Sequence, residues 1–351
     1  MPISYPKPGT VLSAGSTDTA SVKALQRDLR ALGYLRQSID GDFGKGTAEA
    51  VRALTYDLLH NHGGSTQNDG GAPMAISSHN KGRVDAVTDG VDEDVAGCIA
   101  SLLNDPAIPK LPSSADPAAA NREALSAIRE MAGTPAPPPF MAAMVRQESS
   151  GQHFRVPAGN NEDNFVVVGL DRNKTKEGLP EFITSRGYGI GQYTIFHHPP
   201  RADEVSDFIV DPVRNVGKAF REFREKFDRW VLGPDDKADD RVREHPLLKD
   251  LRLCRYQPND KRFMRDCRNC AVEAPKVDIQ PGTPVYPGAS FGYTVTQYYS
   301  SAVYDGVPDR AAFRCDWPYA ARRYNGSGVN SFHYQTRILR NLLAEPPVTW
   351  S

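Results

Sequence analysis

The sequence predicts an all-α protein of two domains. Three observations carry that expectation. Wherever apolar residues recur, they recur at three- and four-residue spacing, the period of a helix face. Glycine and proline clusters, rather than alternating strand patterns, separate these stretches. The 351 residues are enough to build two separate cores.

The first helix is expected over Ser21 to Leu32, with Val22, Leu25, Leu29 and Leu32 on one face and Gly33 ending it. A turn at Asp40-Gly41-Asp42 follows, then Phe43-Gly44-Lys45-Gly46. A second helix starts near Thr47 with Val51, Leu54 and Leu58 aligned. The stretch from about 60 to 82 is rich in Gly, Asn, Ser and His and reads as a loop insertion. Asp89-Gly90-Val91 then half-repeats the earlier turn and leads into a third helix with Val95, Ile99 and Leu102. This makes a three-helix module over 1–105.

Prolines at 106, 109, 112 and 117 mark 106–120 as a stiff linker. The second domain, 121–351, opens on a helix with Leu125, Ile128 and Met131, which the run Thr134 to Pro139 breaks. In the next helix Phe140, Met144 and Glu148 share a face that Met141 and Val145 widen, and Ser149-Ser150-Gly151 stops it. A long amphipathic helix carries Val213, Val216, Phe220, Phe223, Phe227 and Trp230, with Asp211 as N-cap and Pro212 as first residue. A final helix holds Tyr334, Ile338, Leu339, Leu342 and Leu343. Segments near 155–185 and 231–310 read as irregular.

Lys plus Arg number 42 against 43 Asp plus Glu, so the chain has no global basic field for nucleic acid or anionic membranes. No apolar run reaches the ~20 residues of a membrane span. The first residues, Met1-Pro2-Ile3-Ser4-Tyr5-Pro6, lack a secretory pattern. Synthesis in the cytoplasm without a signal peptide is the expectation, and a substrate outside the membrane would need non-classical delivery. Of five cysteines, Cys98 sits in a helical apolar pattern and reads as core filler. Cys254, Cys267, Cys270 and Cys315 are an even set that fits two disulfides. A four-cysteine zinc site is the rival, although a second Cys-x-x-Cys pair is missing.

Glu148 is the residue with a chemical case. Apolar neighbours disfavour its ionised form, and the negative end of its helix acts in the same direction. A carboxyl that keeps its proton near neutral pH can deliver that proton to the leaving oxygen of a glycosidic bond.

Met144-Val145-Arg146-Gln147-Glu148-Ser149-Ser150-Gly151 resembles the glutamate motif of the soluble lytic transglycosylase family, which has the goose-type lysozyme fold. Gly187-Tyr188-Gly189-Ile190-Gly191-Gln192-Tyr193 resembles that family's second motif, and Ala321-Arg322-Arg323-Tyr324-Asn325-Gly326 its third. The three occur in the family's order over about 140–343. Gly191 replaces the family's methionine, Arg322 and Arg323 replace small residues, and the spacing from Glu148 to Gln192 is longer than usual. The N-terminal unit separately resembles the peptidoglycan-binding type 1 module, through Val22 to Leu29, Gly33-Tyr34-Leu35, Asp40 to Gly44 and Thr47 to Ala53.

The resemblance implies cleavage of the β-1,4 bond between N-acetylmuramic acid and N-acetylglucosamine, with peptidoglycan glycan strands as partner and no metal or other cofactor. Glu148 would act as acid and then base, and Tyr324 would orient its carboxyl. Ser149, Gly189, Gly191, Gln192, Tyr193 and Asn325 would line the sugar cleft. The substrate's own C6 hydroxyl would attack, leaving a 1,6-anhydromuramoyl end. A hydrolytic muramidase is the alternative; it needs a second carboxylate about 5–9 Å away, for which Asp163, Asp171 and Glu181 are candidates. A non-catalytic wall-binding tail protein is a further alternative. A phage lysin and an exported antibacterial effector, the latter with an inhibitor protein and export machinery as partners, share the same expected chemistry.

Overall fold

In chain order the elements are α1 (Thr19–Ala31), α2 (Lys45–His60), α3 (Glu93–Asn104), α4 (Pro117–Glu130) and α5 (Pro138–Ser149), then strands β1 (Val168–Asp171), β2 (Ser185–Tyr188) and β3 (Tyr193–Ile195). After these come α6 (Ala202–Glu204), α7 (Pro212–Phe227) and the two-residue pair β4 (Lys276–Val277) and β5 (Val307–Pro308). The computed structural model describes residues 3–36, 38–63, 75–130, 138–171, 185–195, 197–227, 276–277, 307–308, 320–321, 324–325, 334, 337–338 and 341. Two compact units emerge, Met1–Arg122 with Gln152–Asn215, and Glu123–Gly151 with Val216–Ser351.

In the first unit, α1 begins at an Asp18 carboxylate that accepts the Ser21 amide at 3.2 Å. It ends where Gly33 takes φ +80°. The Gly33 amide then reaches the Arg30 carbonyl, and the Tyr34 amide that of Leu29, closing the helix's orphan carbonyls. Val22, Leu25 and Leu29 from α1, Val51, Leu54 and Leu58 from α2, and Val95, Ile99 and Leu102 from α3 form one core, with Cys98 buried inside it. Gln26 organises the turn between α1 and α2. Its side-chain oxygen accepts the Asp40 and Gly41 amides at 3.0 and 2.8 Å, and its amide donates to the Asp42 carbonyl at 2.9 Å. That bonding explains a buried glutamine on an otherwise apolar face.

The expected insertion at 60–82 is in part structural: Ile76 joins the same core, as does Val84 just beyond it. Asn80 holds the turn by bonding both the amide and the carbonyl of Val84. A single isoleucine among polar residues has no periodicity to reveal it.

The described residues are mainly helical, and to the helices β1, β2 and β3 add a small antiparallel sheet in that order, with Tyr188 opposite Tyr193. Its strands are only three or four residues long, too short to display an alternating pattern. Within the first unit, residues on both sides of the expected boundaries at 105 and 120 pack together. Leu111 is buried with Ile39, Phe154, Phe165, Val166, Tyr188, Ile195 and Phe208 in a second core. The Leu111 amide donates to the Ala31 carbonyl, and the Pro112 carbonyl accepts the Val166 amide, so the proline-rich segment is docked.

The same unit buries an ion pair, Arg30 to Asp163 at 3.1 Å. The guanidinium also donates to the Leu35 and Val166 carbonyls and lies over the Phe165 ring. At the surface, Lys23 and Arg27 both pair with Glu162.

In the second unit, residues Phe140 to Val145 are all buried. α5 is therefore enclosed on every side over this stretch, rather than along the single stripe its spacing suggests. α7 starts as expected at Asp211, which accepts the Val213 and Arg214 amides, and buries Val216, Phe220 and Phe223 while Val213 stays exposed. Among the described residues no helix is long and apolar enough to cross a membrane.

Candidate functional site

Glu148 stands at the last turn of α5, one turn beyond the enclosed stretch. Ser150 and Gly151 end this helix with φ of +58° and +73°, their amides reaching back to the Arg146 and Val145 carbonyls. A side chain at Gly151 would also crowd Leu125 of α4. The Glu148 carboxyl is thereby fixed at an end, partly buried and still accessible.

The final helical segment supplies its partner. The Tyr334 hydroxyl donates to Glu148 Oε1 at 2.5 Å. Burial pushes the Glu148 carboxyl from its usual 4.5 up to about 7; the Tyr334 bond opposes this, and the charge of Glu222 on α7 adds to it. Asn341 donates to the Ala143 carbonyl of α5 at 3.1 Å. Tyr334 and Ile338 are both buried.

Tyr324, the tyrosine that the third motif singles out, lies behind this contact. Its ring centroid is 6.4 Å from that of Tyr334 and 6.2 Å from that of Phe223 on α7. Tyr334, which the sequence shows only as one apolar position of the last helix, places its hydroxyl on the carboxyl. Asn325 is exposed beside Tyr324. Ser149 is buried, and its hydroxyl donates to the Val145 carbonyl at 3.0 Å, one turn back along its own helix.

The second motif, in the first unit, forms the hairpin turn between β2 and β3. Gly189 has φ +72° and Gln192 φ +49°. A side chain on Gly189 would collide with Asn215 and His153, each 2.7 Å from where its first carbon would stand. The glycines are buried, and they admit protein side chains: Asn215 accepts the Gly191 amide at 2.8 Å and donates to the Tyr188 carbonyl at 2.9 Å. His153 accepts the Ile190 amide through Nδ1 and bonds the Ile209 carbonyl through Nε2. Burial pushes this imidazole down to about 4, and as a neutral ring it can both donate and accept. Asn121 holds the other side, accepting the His153 and Phe154 amides. The Gln192 amide folds back onto the Gly189 carbonyl at 2.7 Å. Gln192 and the Tyr193 ring, edge-on to Phe208 at 5.1 Å, stay partly exposed. Asn121, His153 and Asn215 carry this turn and fall outside all three motifs.

Of the three carboxylates expected as candidates for handling water, Asp163 is committed to Arg30, and its Oδ1 also accepts the Phe165 amide. The Asp171 side chain and Glu181 lie outside the described residues, as do Cys254, Cys267, Cys270, Cys315, Arg322 and Arg323.

The family model for a peptidoglycan binding domain matches residues 18–54, which span α1, the Gln26-braced turn and the first part of α2. No curated protein and no solved structure matches the chain, so the lysozyme-like resemblance of the remainder rests on its motifs. The N-terminal unit carries a peptidoglycan-binding module.

Proposed function

We propose that the chain cleaves the β-1,4 bond between N-acetylmuramic acid and N-acetylglucosamine of peptidoglycan, with Glu148 as proton donor and the N-terminal module holding the wall. The observation that carries this reading is the Glu148 carboxyl itself. It is pushed up to about 7, bonded by Tyr334, and set at the end of an enclosed helix in a chain that also has a wall-binding module.

Below about pH 7 this carboxyl holds its proton and gives it to the glycosidic oxygen as the bond from C1 of the muramoyl sugar breaks. The resulting carboxylate then takes the proton of the C6 hydroxyl as that oxygen bonds to C1. Glu148 ends protonated, and the muramoyl end is a 1,6-anhydro ring. An attack from within the same sugar is favoured by proximity, and the proton transfers contribute about 10²–10⁴-fold. Tyr334 holds the carboxyl in one orientation throughout, with Tyr324 packed behind it. In the first unit, Gln192 and Tyr193 of the second motif keep partly exposed side chains.

The test is mass spectrometry of sacculi digested by the full chain. Muropeptides lighter by one water than reducing-end products, and inert to borohydride, support the internal attack. Reducing-end products instead would mean that water is the nucleophile.

A further inference from the structure

Two adjacent histidines after the hairpin are held in opposite ways. His197 and His198, with Pro199 and Pro200, form a strap that is buried throughout. The His197 ring bonds Glu204 of α6 at 2.8 Å, so a proton arriving there meets a carboxylate. His198 sits in different surroundings. Its ring lies edge-on to Tyr34 with 4.5 Å between centroids, and the Tyr188 hydroxyl stands 3.5 Å from its Nδ1. Its Nε2 is enclosed without a hydrogen-bond partner among the described residues. The ring fits because residue 33 is glycine: the first carbon of a side chain there would stand 2.9 Å from His198 Cε1. The His198 carbonyl accepts the Asn61 side-chain amide at 3.1 Å. The strap is thereby seated on the ends of α1 and α2, helices of the wall-binding module, within the first unit.

The groups around His198 do not offset a positive charge on it. Tyr34, which follows α1, donates its hydroxyl to Asp57 of α2 at 2.8 Å. Burial pushes that carboxyl up to about 7, so in acid it is neutral. From β2 come the neutral Tyr188 hydroxyl and the positive Arg186, and Glu204 is already taken by His197 and Arg201. Burial first, then the charges of Arg186 and His197, hold the His198 imidazole well below its usual range. We infer that the strap 197–200 is an acid-released latch on the wall-binding module: on taking a proton His198 leaves its seat, and the strap lifts from the ends of α1 and α2. A buried imidazolium without a counter-charge is unfavourable, whereas the lifted ring is hydrated. The lifted form takes its proton near the usual 6.5 and the seated form only well below it. Seating is therefore fully favoured above that value and weakens by up to about tenfold per pH unit below it.

Hydrogen exchange of the full chain, read by mass spectrometry and corrected for the intrinsic effect of pH, tests this. Between pH 7.5 and pH 5 the peptides covering 197–205 and the end of α2 should lose protection by about tenfold or more, while those of α5 keep theirs. His198→Phe, neutral at both pH values, should hold at pH 5 the protection it has at pH 7.5. His198→Gln gives the same reading if the phenylalanine variant does not fold. His197→Gln should still open in acid. Equal protection of the wild-type strap at both pH values overturns the inference. So does an acid loss that persists in the neutral His198 variants, or one that His197→Gln abolishes, because the proton then acts elsewhere. These readings stand whether or not the chain cleaves peptidoglycan.

Discussion

Burial raises the candidate acid, and a tyrosine hydroxyl opposes that rise. Removing the Tyr334 hydroxyl removes a hydrogen bond that favours the Glu148 anion, so Tyr334→Phe should move the carboxyl farther up. The alkaline limb of a pH–lysis profile should then shift to higher pH, while the maximal rate falls as the carboxyl loses its fixed orientation. A shift to lower pH would contradict the hydrogen-bonding assignment. Stability gives a second check. The folded chain holds, between the usual 4.5 and about 7, a proton that the unfolded chain releases. Wild type therefore loses stability as pH rises through that window, by no more than about 3 kcal/mol. Glu148→Gln lacks this dependence, so its unfolding free energy should gain on wild type from pH 4 to pH 8. A difference that stays flat across the window would mean an unperturbed carboxyl.

At the scale of elements, the turn from Gly189 to Gln192 depends on two side chains remote in sequence. Asn215→Ala would remove the bonds that this side chain makes to the Gly191 amide and the Tyr188 carbonyl in a buried place, at a cost of about 1–3 kcal/mol. Denaturant unfolding should show this loss. A change within about 0.5 kcal/mol would mean that the turn holds itself. The helices were legible because burial repeats with their period: Val22, Leu25 and Leu29, or Val216, Phe220 and Phe223, fall on the inner face in both sequence and structure. Cap residues such as Asp211 and Gly33 were legible for the same local reason. Strands of three and four residues, and the docking of Leu111, depend on partners far along the chain, which no local pattern encodes. The candidate acid was readable from its place at the end of an apolar helix. The Tyr334 hydroxyl on it was not, because the sequence shows Tyr334 only as an apolar position of the last helix and packing alone brings it to the carboxyl.

For the whole molecule, the wall-binding module is not a bead on a string. It has its own core over α1 to α3, yet Arg30 of α1 is completely buried against Asp163, well outside residues 1–105. Asp163→Ala leaves a buried guanidinium without its counter-charge and should cost about 3–5 kcal/mol. Replacing both partners by apolar residues, as in Arg30→Met with Asp163→Leu, should recover most of that loss. If the double variant is no more stable than the single one, the buried charge is not what the single change exposes. A fragment of 1–105 would strip Arg30 of its partner in the same way, so wall binding is best read on the full chain carrying Glu148→Gln. That protein should pellet with purified sacculi.

The most direct test of the central claim is the amount of soluble muropeptide released from purified sacculi by wild type and by Glu148→Gln at pH 6, with both proteins shown to be folded and wall-bound. The account predicts release by wild type and a fall of about 10²-fold or more in the variant. Equal release from both, or none from wild type, would contradict it.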